Sequence, residues 1–166
     1  MRAIARAPKA SSPPEEFLQA SVNLVVERFL CPEWEATASP AGGWRHPAVA
    51  ALLKLLGVKP GWPDWELVAP GSLWHGLELK REGEGLTGEQ PAFARRCAAH
   101  GRFYAVADTF ETAVAILCGW GALTVSADEV LAWWARPAQQ LWRAGFAADV
   151  ERRRLKSKAR RRSKRS

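Results

Sequence analysis

The chain has 166 residues, 48% of them hydrophobic, and a formal net charge of +7. That length suits one compact domain with a few added elements and buries an ordinary core without disulfide staples. No apolar run approaches the roughly 20 residues of a membrane span, and the start of the chain has no apolar block followed by a cleavage site. A membrane protein and a secreted protein are therefore not expected, and the cytoplasm is the default compartment.

The charge is unevenly placed. Residues 152–166 hold ten of the 24 Lys and Arg and none of the 17 acids, which leaves 14 positive and 17 negative charges, a net of −3, on the other 151 residues. A block of like charge repels itself and is expected to be disordered when free. Phosphate backbones attract such a block without sequence preference. The three cysteines, Cys31, Cys97 and Cys118, form no CxxC and no Cys/His zinc spacing, so buried or free thiols are expected.

Residues 1–13 are small, basic and rich in Pro and Ser, and read as a flexible arm. A helix is predicted from Pro14, with Glu15 and Glu16 in its first turn and an apolar stripe of Leu18, Val22, Val25 or Val26, and Phe29. Cys31-Pro32 ends it. A strand over 35–38 precedes the turn Ser39-Pro40-Ala41-Gly42-Gly43, and residues 46–56 read as a helix stopped by Gly57. Two strands, 65–69 and 73–80, are joined by the strong turn Ala69-Pro70-Gly71-Ser72. After a loop over 83–88, Thr87 and Gln90 make a capping box for a helix over 89–100. A strand over 102–107 follows, then a helix capped by Asp108 or Thr109 and running to Cys118. The last element is an amphipathic helix from Ala127 to about Phe146, with a kink expected at Pro137. The order describes an α/β fold, a small central mixed sheet flanked by helices.

The segment that carries chemistry is GWPDWELVAPGSLWHGLELKREGEGLTGEQ. Glu78 and Lys80 are two apart on a strand, so their side chains leave the same face. Residue 71, inside the Pro70-Gly71 turn, is midway between Asp64 and Glu78. A symmetric hairpin therefore sets the two acids opposite each other. Adjacent buried carboxylates repel unless a cation lies between them. Mg²⁺ or Mn²⁺ is the natural cation for carboxylate, carbonyl and water oxygens. A neighbouring lysine can hold the attacking water or stabilise charge at a phosphate. Against this stands the ordinary cross-strand Lys–carboxylate pair of an exposed hairpin. The apolar setting of Glu78, between Leu77 and Leu79, favours the metal site.

The run KLLGVKPGWPDWEL, GLELKREGEGLTGEQPAF and HGRFYAVADTFETAVAILCGWG resembles the VRR-NUC family of the PD-(D/E)XK nuclease superfamily, in particular its stand-alone, phage-type members. The ordered features are a GxPD step, an ELK strand, a Gly-rich loop with a (S/T)xxQ helix, and a G…V strand with a closing helix. PEEFLQASV is similar to the family's opening ExxLQ helix. The resemblance implies a restriction-endonuclease-like domain over 14–121; beyond it, the residues themselves read as a helical extension over 122–150 and a basic, disordered tail over 151–166. It further implies a Mg²⁺- or Mn²⁺-dependent endodeoxyribonuclease, selective for branched or flap DNA, in a bacterial or phage-infected host cell. A homodimer stays open, and the alternative readings are a non-cleaving nucleic-acid-binding module of the same fold and an interaction protein that uses its basic tail.

By the same resemblance Asp64, Glu78 and the Leu79 carbonyl are metal ligands, Lys80 is the catalytic lysine and Gln90 joins the site. An acid from the first helix is also implied. Glu15 shares the inward stripe with Leu18 and Val22, whereas Glu16 points about a quarter-turn away. Glu15 is therefore preferred, in competition with its reading as a first-turn acid that complements the helix dipole. The family's PNGGxR turn reads Pro40-Ala41-Gly42-Gly43-Trp44-Arg45, without the Asn. Arg45 is a candidate phosphate contact, as are Arg152, Arg153, Arg154, Arg160, Arg161 and Arg162 of the tail. Trp62, Trp65 and Trp74 flank the site and serve either packing or base stacking. Trp133, Trp134 and Trp142 either cover the sheet or build a dimer face. His75 is expected on the face opposite Glu78.

Overall fold

The computed structural model describes residues 15–39 and 47–163. Helix α1 (Glu15–Phe29) leads into β1 (Glu35–Ala38), α2 (Pro47–Leu55) and the hairpin β2 (Trp65–Ala69) and β3 (Leu73–Leu79). Helix α3 (Gln90–Ala99), strand β4 (Phe103–Ala107) and helices α4 (Phe110–Gly119), α5 (Ala127–Trp134) and α6 (Pro137–Ser163) complete the order. The four strands form one sheet in the order β1-β2-β3-β4. The first three are antiparallel, and β4 joins β3 in parallel after the α3 crossover. This is the mixed, helix-flanked α/β sheet expected from the sequence.

Alternation along the strands separates two faces. Trp65, Leu67, Leu77, Leu79 and Ala107 are buried on one, in a common core with Leu18, Val22 and Val25 of α1 and with Ala113, Val114 and Leu117 of α4. His75 lies on this face, away from Glu78, stacked on Phe103 with ring centroids 4.4 Å apart. The other face carries Trp74, Gly76, Glu78 and Tyr104. There Trp62, Trp74, Phe93 and Tyr104 form an aromatic cluster under α3. A side chain at Gly76 would meet the Trp74 ring at 2.4 Å, so only glycine lets that indole cross the strand.

Val130, Trp133 and Trp134 of α5 belong to the same core as α1 and the sheet, so these tryptophans serve packing. The C-terminal third differs from the sequence expectation in two ways. The helix expected to run from Ala127 to about Phe146 is two helices, α5 closing at Trp134 and α6 opening on Pro137. Proline lacks the N–H that an uninterrupted helix needs and disfavours helical geometry at Arg136. The basic tail, expected to be disordered, continues α6 to Ser163. It contains no Gly or Pro, and Ala, Leu, Lys and Arg are strong helix formers. Asp149 also pairs with Arg152 at 3.8 Å and Arg153 at 2.5 Å, the favourable order of charges along a helix. The arm over 1–13 and the turn containing Arg45 lie outside the described residues.

Candidate active site

Hairpin register assembles the site. Trp65 pairs with Leu77 and Ala69 with Leu73, which centres the hairpin on residue 71. One step beyond the last pair, Asp64 stands opposite Glu78. Its carboxylate turns back onto the strand and Oδ2 accepts the Leu79 N–H at 2.8 Å. The Asp64 carbonyl accepts the Ser39 N–H at 2.8 Å, tying the same residue to the end of β1. A further step sets Leu79 opposite Pro63, which has no N–H to offer the Leu79 carbonyl.

Glu78 is 1% exposed, Asp64 6% and Lys80 7%, so three ionisable groups share one buried site. Lys80 Nζ meets Glu78 Oε1 at 2.7 Å, and its backbone N–H extends the ladder to the Ala107 carbonyl at 2.8 Å. Gln90 Nε2 donates to the same Oε1. Gln90 Oε1 accepts the Thr87 N–H at 2.9 Å, so half of the expected capping box holds this side chain toward Glu78. Gly61 fixes the spacing between the Gly-Trp-Pro-Asp step and α3. Its φ is 81°, and a side chain there would lie 2.8 Å from Glu89 Cβ.

Glu78 Oε2 is buried and has no hydrogen-bond partner. Burial, and then the charge of Asp64, raise the Glu78 carboxyl from 4.5 to about 7, against the opposing pull of Lys80. Burial also raises Asp64, although the Leu79 N–H and Lys80 favour its anion. Both acids therefore take up a proton more readily than isolated carboxylates do, as expected of two buried like charges side by side.

Of the two first-helix acids, Glu16 is exposed and Glu15 is half-buried at the mouth of the site. Burial and the charge of Asp64 raise the Glu15 carboxyl, with Lys80 and Arg81 acting the other way. Glu15, Lys80, Arg81 and Arg143 line one cleft of about 190 Å³. Among the described residues, however, no three His, Cys, Asp or Glu side chains converge closely enough to hold an ion. Glu15 lies half-buried in the cleft with Lys80, and Asp64 and Glu78 are the two buried acids. Arg152 and Arg153 are exposed on α6, remote from this pair in sequence, and the remaining tail arginines are placed by their helical backbone alone.

Sequence reading missed Tyr104. It pairs with Gly76 across the parallel β3–β4 ladder and shares the face of Glu78. Its hydroxyl is buried beside Glu78. Burial, the nearby charges of Glu78, Cys97 and Asp64, and an interaction with the Glu78 carboxylate hold it protonated beyond the usual phenol range. The available signal was that the chain's one tyrosine occupies an alternate position of a strand. The tryptophans resolve toward packing: Trp65, Trp133 and Trp134 are buried, and Trp142 packs on Phe17 and Phe146.

A solved structure described as a "VRR_NUC domain" aligns with 60% of this chain and 88% of its own length, at 16% identity and a TM-score of 0.42. No family model matches the sequence, and no curated protein matches it. The chemistry assigned to the site rests on its own geometry.

Proposed function

We propose that this protein is a Mg²⁺- or Mn²⁺-dependent deoxyribonuclease centred on Asp64, Glu78 and Lys80. The observation that carries this reading is the juxtaposition of two buried carboxylates, Asp64 and Glu78, beside the buried Lys80. Burying two like charges together is costly unless a cation is shared between them. The donor set is all hard oxygen, and it suits those two ions rather than zinc.

Asp64, Glu78 and the Leu79 carbonyl would hold the ion, with Glu15 in the cleft for a water-mediated contact. When bound, the ion supplies Lewis acidity at the scissile phosphate and a water activated near neutral pH. Lys80, anchored on Glu78, presents its ammonium to that water or to the phosphate oxygen on which charge develops. Gln90 restrains Glu78 through Oε1, the oxygen that Lys80 also meets. A mildly acidic body with a basic C-terminal segment fits DNA as the substrate. Lys80, Arg81 and Arg143 line the cleft and suit phosphate groups of the substrate.

A cleavage assay on linear, flapped and four-way DNA, with Mg²⁺, Mn²⁺ or EDTA, tests this reading. Metal-dependent cutting with preference for a branched substrate is expected. DNA bound but uncut under every metal condition would instead make the domain a binding module.

A further inference from the structure

Helix α6 has two halves with different surroundings. In the first, Trp142 lies 6.1 Å and Phe146 5.8 Å from the Phe17 ring, and Trp142 lies 5.9 Å from Trp134. Phe17 is two residues from Glu15, so these rings fasten α6 to the rim of the candidate active site. Between Trp142 and Phe146, Arg143 lies 5.3 Å over the Trp134 ring and lines the same cleft as Lys80 and Arg81. In the second half, every described side chain from Glu151 onward is exposed. Residues 152–163 of this half carry eight Lys and Arg and no acid.

We propose that α6 is a cationic arm that lies along duplex DNA flanking the bound phosphate, with Arg143 at the cleft and residues 152–163 reaching outward. The choice of which phosphate lies at the cleft rests on the nuclease reading of the site; the arm's contact with DNA does not. From Arg143 to Arg162 is 19 residues, about 28 Å of helix. That spans about 8 base pairs at roughly 3.4 Å each. Charges surround the helix, so about half can face one duplex, giving about four phosphate contacts. Like charges three and four apart also weaken a free helix, and neutralisation by phosphate removes that penalty. Duplex DNA fits better than an acidic protein surface because its charge is linear, dense and continuous with the cleft at Arg143.

The test is binding of the full chain to a 20-base-pair duplex in EDTA, followed by fluorescence anisotropy over a salt series. Ala148→Pro breaks the arm while keeping every charge. It should weaken binding at low salt at least about tenfold and flatten the salt dependence. Ala147→Gly/Ala148→Gly should act in the same direction but less strongly, and an unchanged tryptophan spectrum checks that the core is intact. Arg160→Gln/Arg161→Gln/Arg162→Gln should reduce the slope of log K against log salt by about 1 to 3, at about 0.9 per lost phosphate contact. Circular dichroism should show helix content maintained or gained on DNA. Wild-type binding and slope in Ala148→Pro would overturn the arm, because the segment would then act as unstructured charge. Unchanged binding by the triple variant would overturn its contact with DNA. EDTA keeps both readouts independent of cleavage, so failure of the nuclease reading appears separately, as absence of metal-dependent cutting.

Discussion

Glu78→Gln should stabilise the metal-free protein at alkaline pH. In the folded chain Glu78 titrates at about 7 against 4.5 for an unperturbed glutamate. Between these values the folded state binds the proton more tightly than the unfolded state. The associated stability is therefore complete below about pH 4.5 and is lost as pH rises through about 7. A difference of roughly 2.5 units at 1.36 kcal/mol each makes the full effect about 3 kcal/mol, an order-of-magnitude figure for a pair of interacting acids. Glutamine keeps an oxygen where Lys80 and Gln90 donate and removes the charge that Asp64 opposes. The variant should thus exceed wild type by no more than about 1 kcal/mol at pH 5 and by up to about 3 kcal/mol at pH 8. Urea unfolding in EDTA, followed by tryptophan fluorescence at pH steps from 5 to 8.5, measures this. His75 works in the opposite direction, since burial lowers its pKa, but it is common to both proteins and cancels in their difference. A difference that is flat with pH, or that favours wild type at pH 8, would refute the reasoning.

Other consequences follow from the same site. Stabilisation by Mg²⁺ or Mn²⁺ in thermal melts should grow between pH 6 and 8, because the ion competes with the Glu78 proton, and it should vanish in Asp64→Asn; a pH-independent shift would contradict this. Gly61→Ala should cost about 1–3 kcal/mol in urea unfolding, since alanine is strained at φ 81° and meets Glu89. Tyr104→Phe removes a buried hydroxyl beside the Glu78 carboxylate, so stability at pH 8 should fall by about 1–3 kcal/mol in urea unfolding; an unchanged or higher stability would contradict an interaction between the two. Leu117→Ala, fully buried in α4, should cost about 2–5 kcal/mol by the same assay.

What was legible in the sequence was local. Turn residues at 69–72 and the alternation on either side specify the hairpin register, and that register alone brings Asp64 opposite Glu78. Helical periodicity distinguishes Glu15 from Glu16, because the stripe of Leu18 and Val22 turns Glu15 inward. Tyr104 was not legible, because it reaches Glu78 through parallel pairing of β3 with β4, and a crossover carries no register signal in its own residues. The helical tail was misjudged for a related reason. Its like charges argue for disorder, whereas the packing of Trp142 and Phe146 on Phe17 nucleates the helix from which it grows. The fate of Trp133 and Trp134 likewise depended on how α5 folds back over α4.

If Lys80 and its two acids cut DNA with a divalent ion, as proposed, Lys80 is the residue whose loss separates cleavage from binding. The comparison is of wild type with Lys80→Ala and with Lys80→Gln, which retains a donor to Glu78, in single-turnover cleavage of flapped DNA with Mg²⁺ at pH 8. Both variants should bind the substrate and unfold cooperatively, yet cleave at least about a hundredfold more slowly, the scale expected for a group acting on transition-state charge. Equal cleavage by wild type and both variants would contradict the assignment.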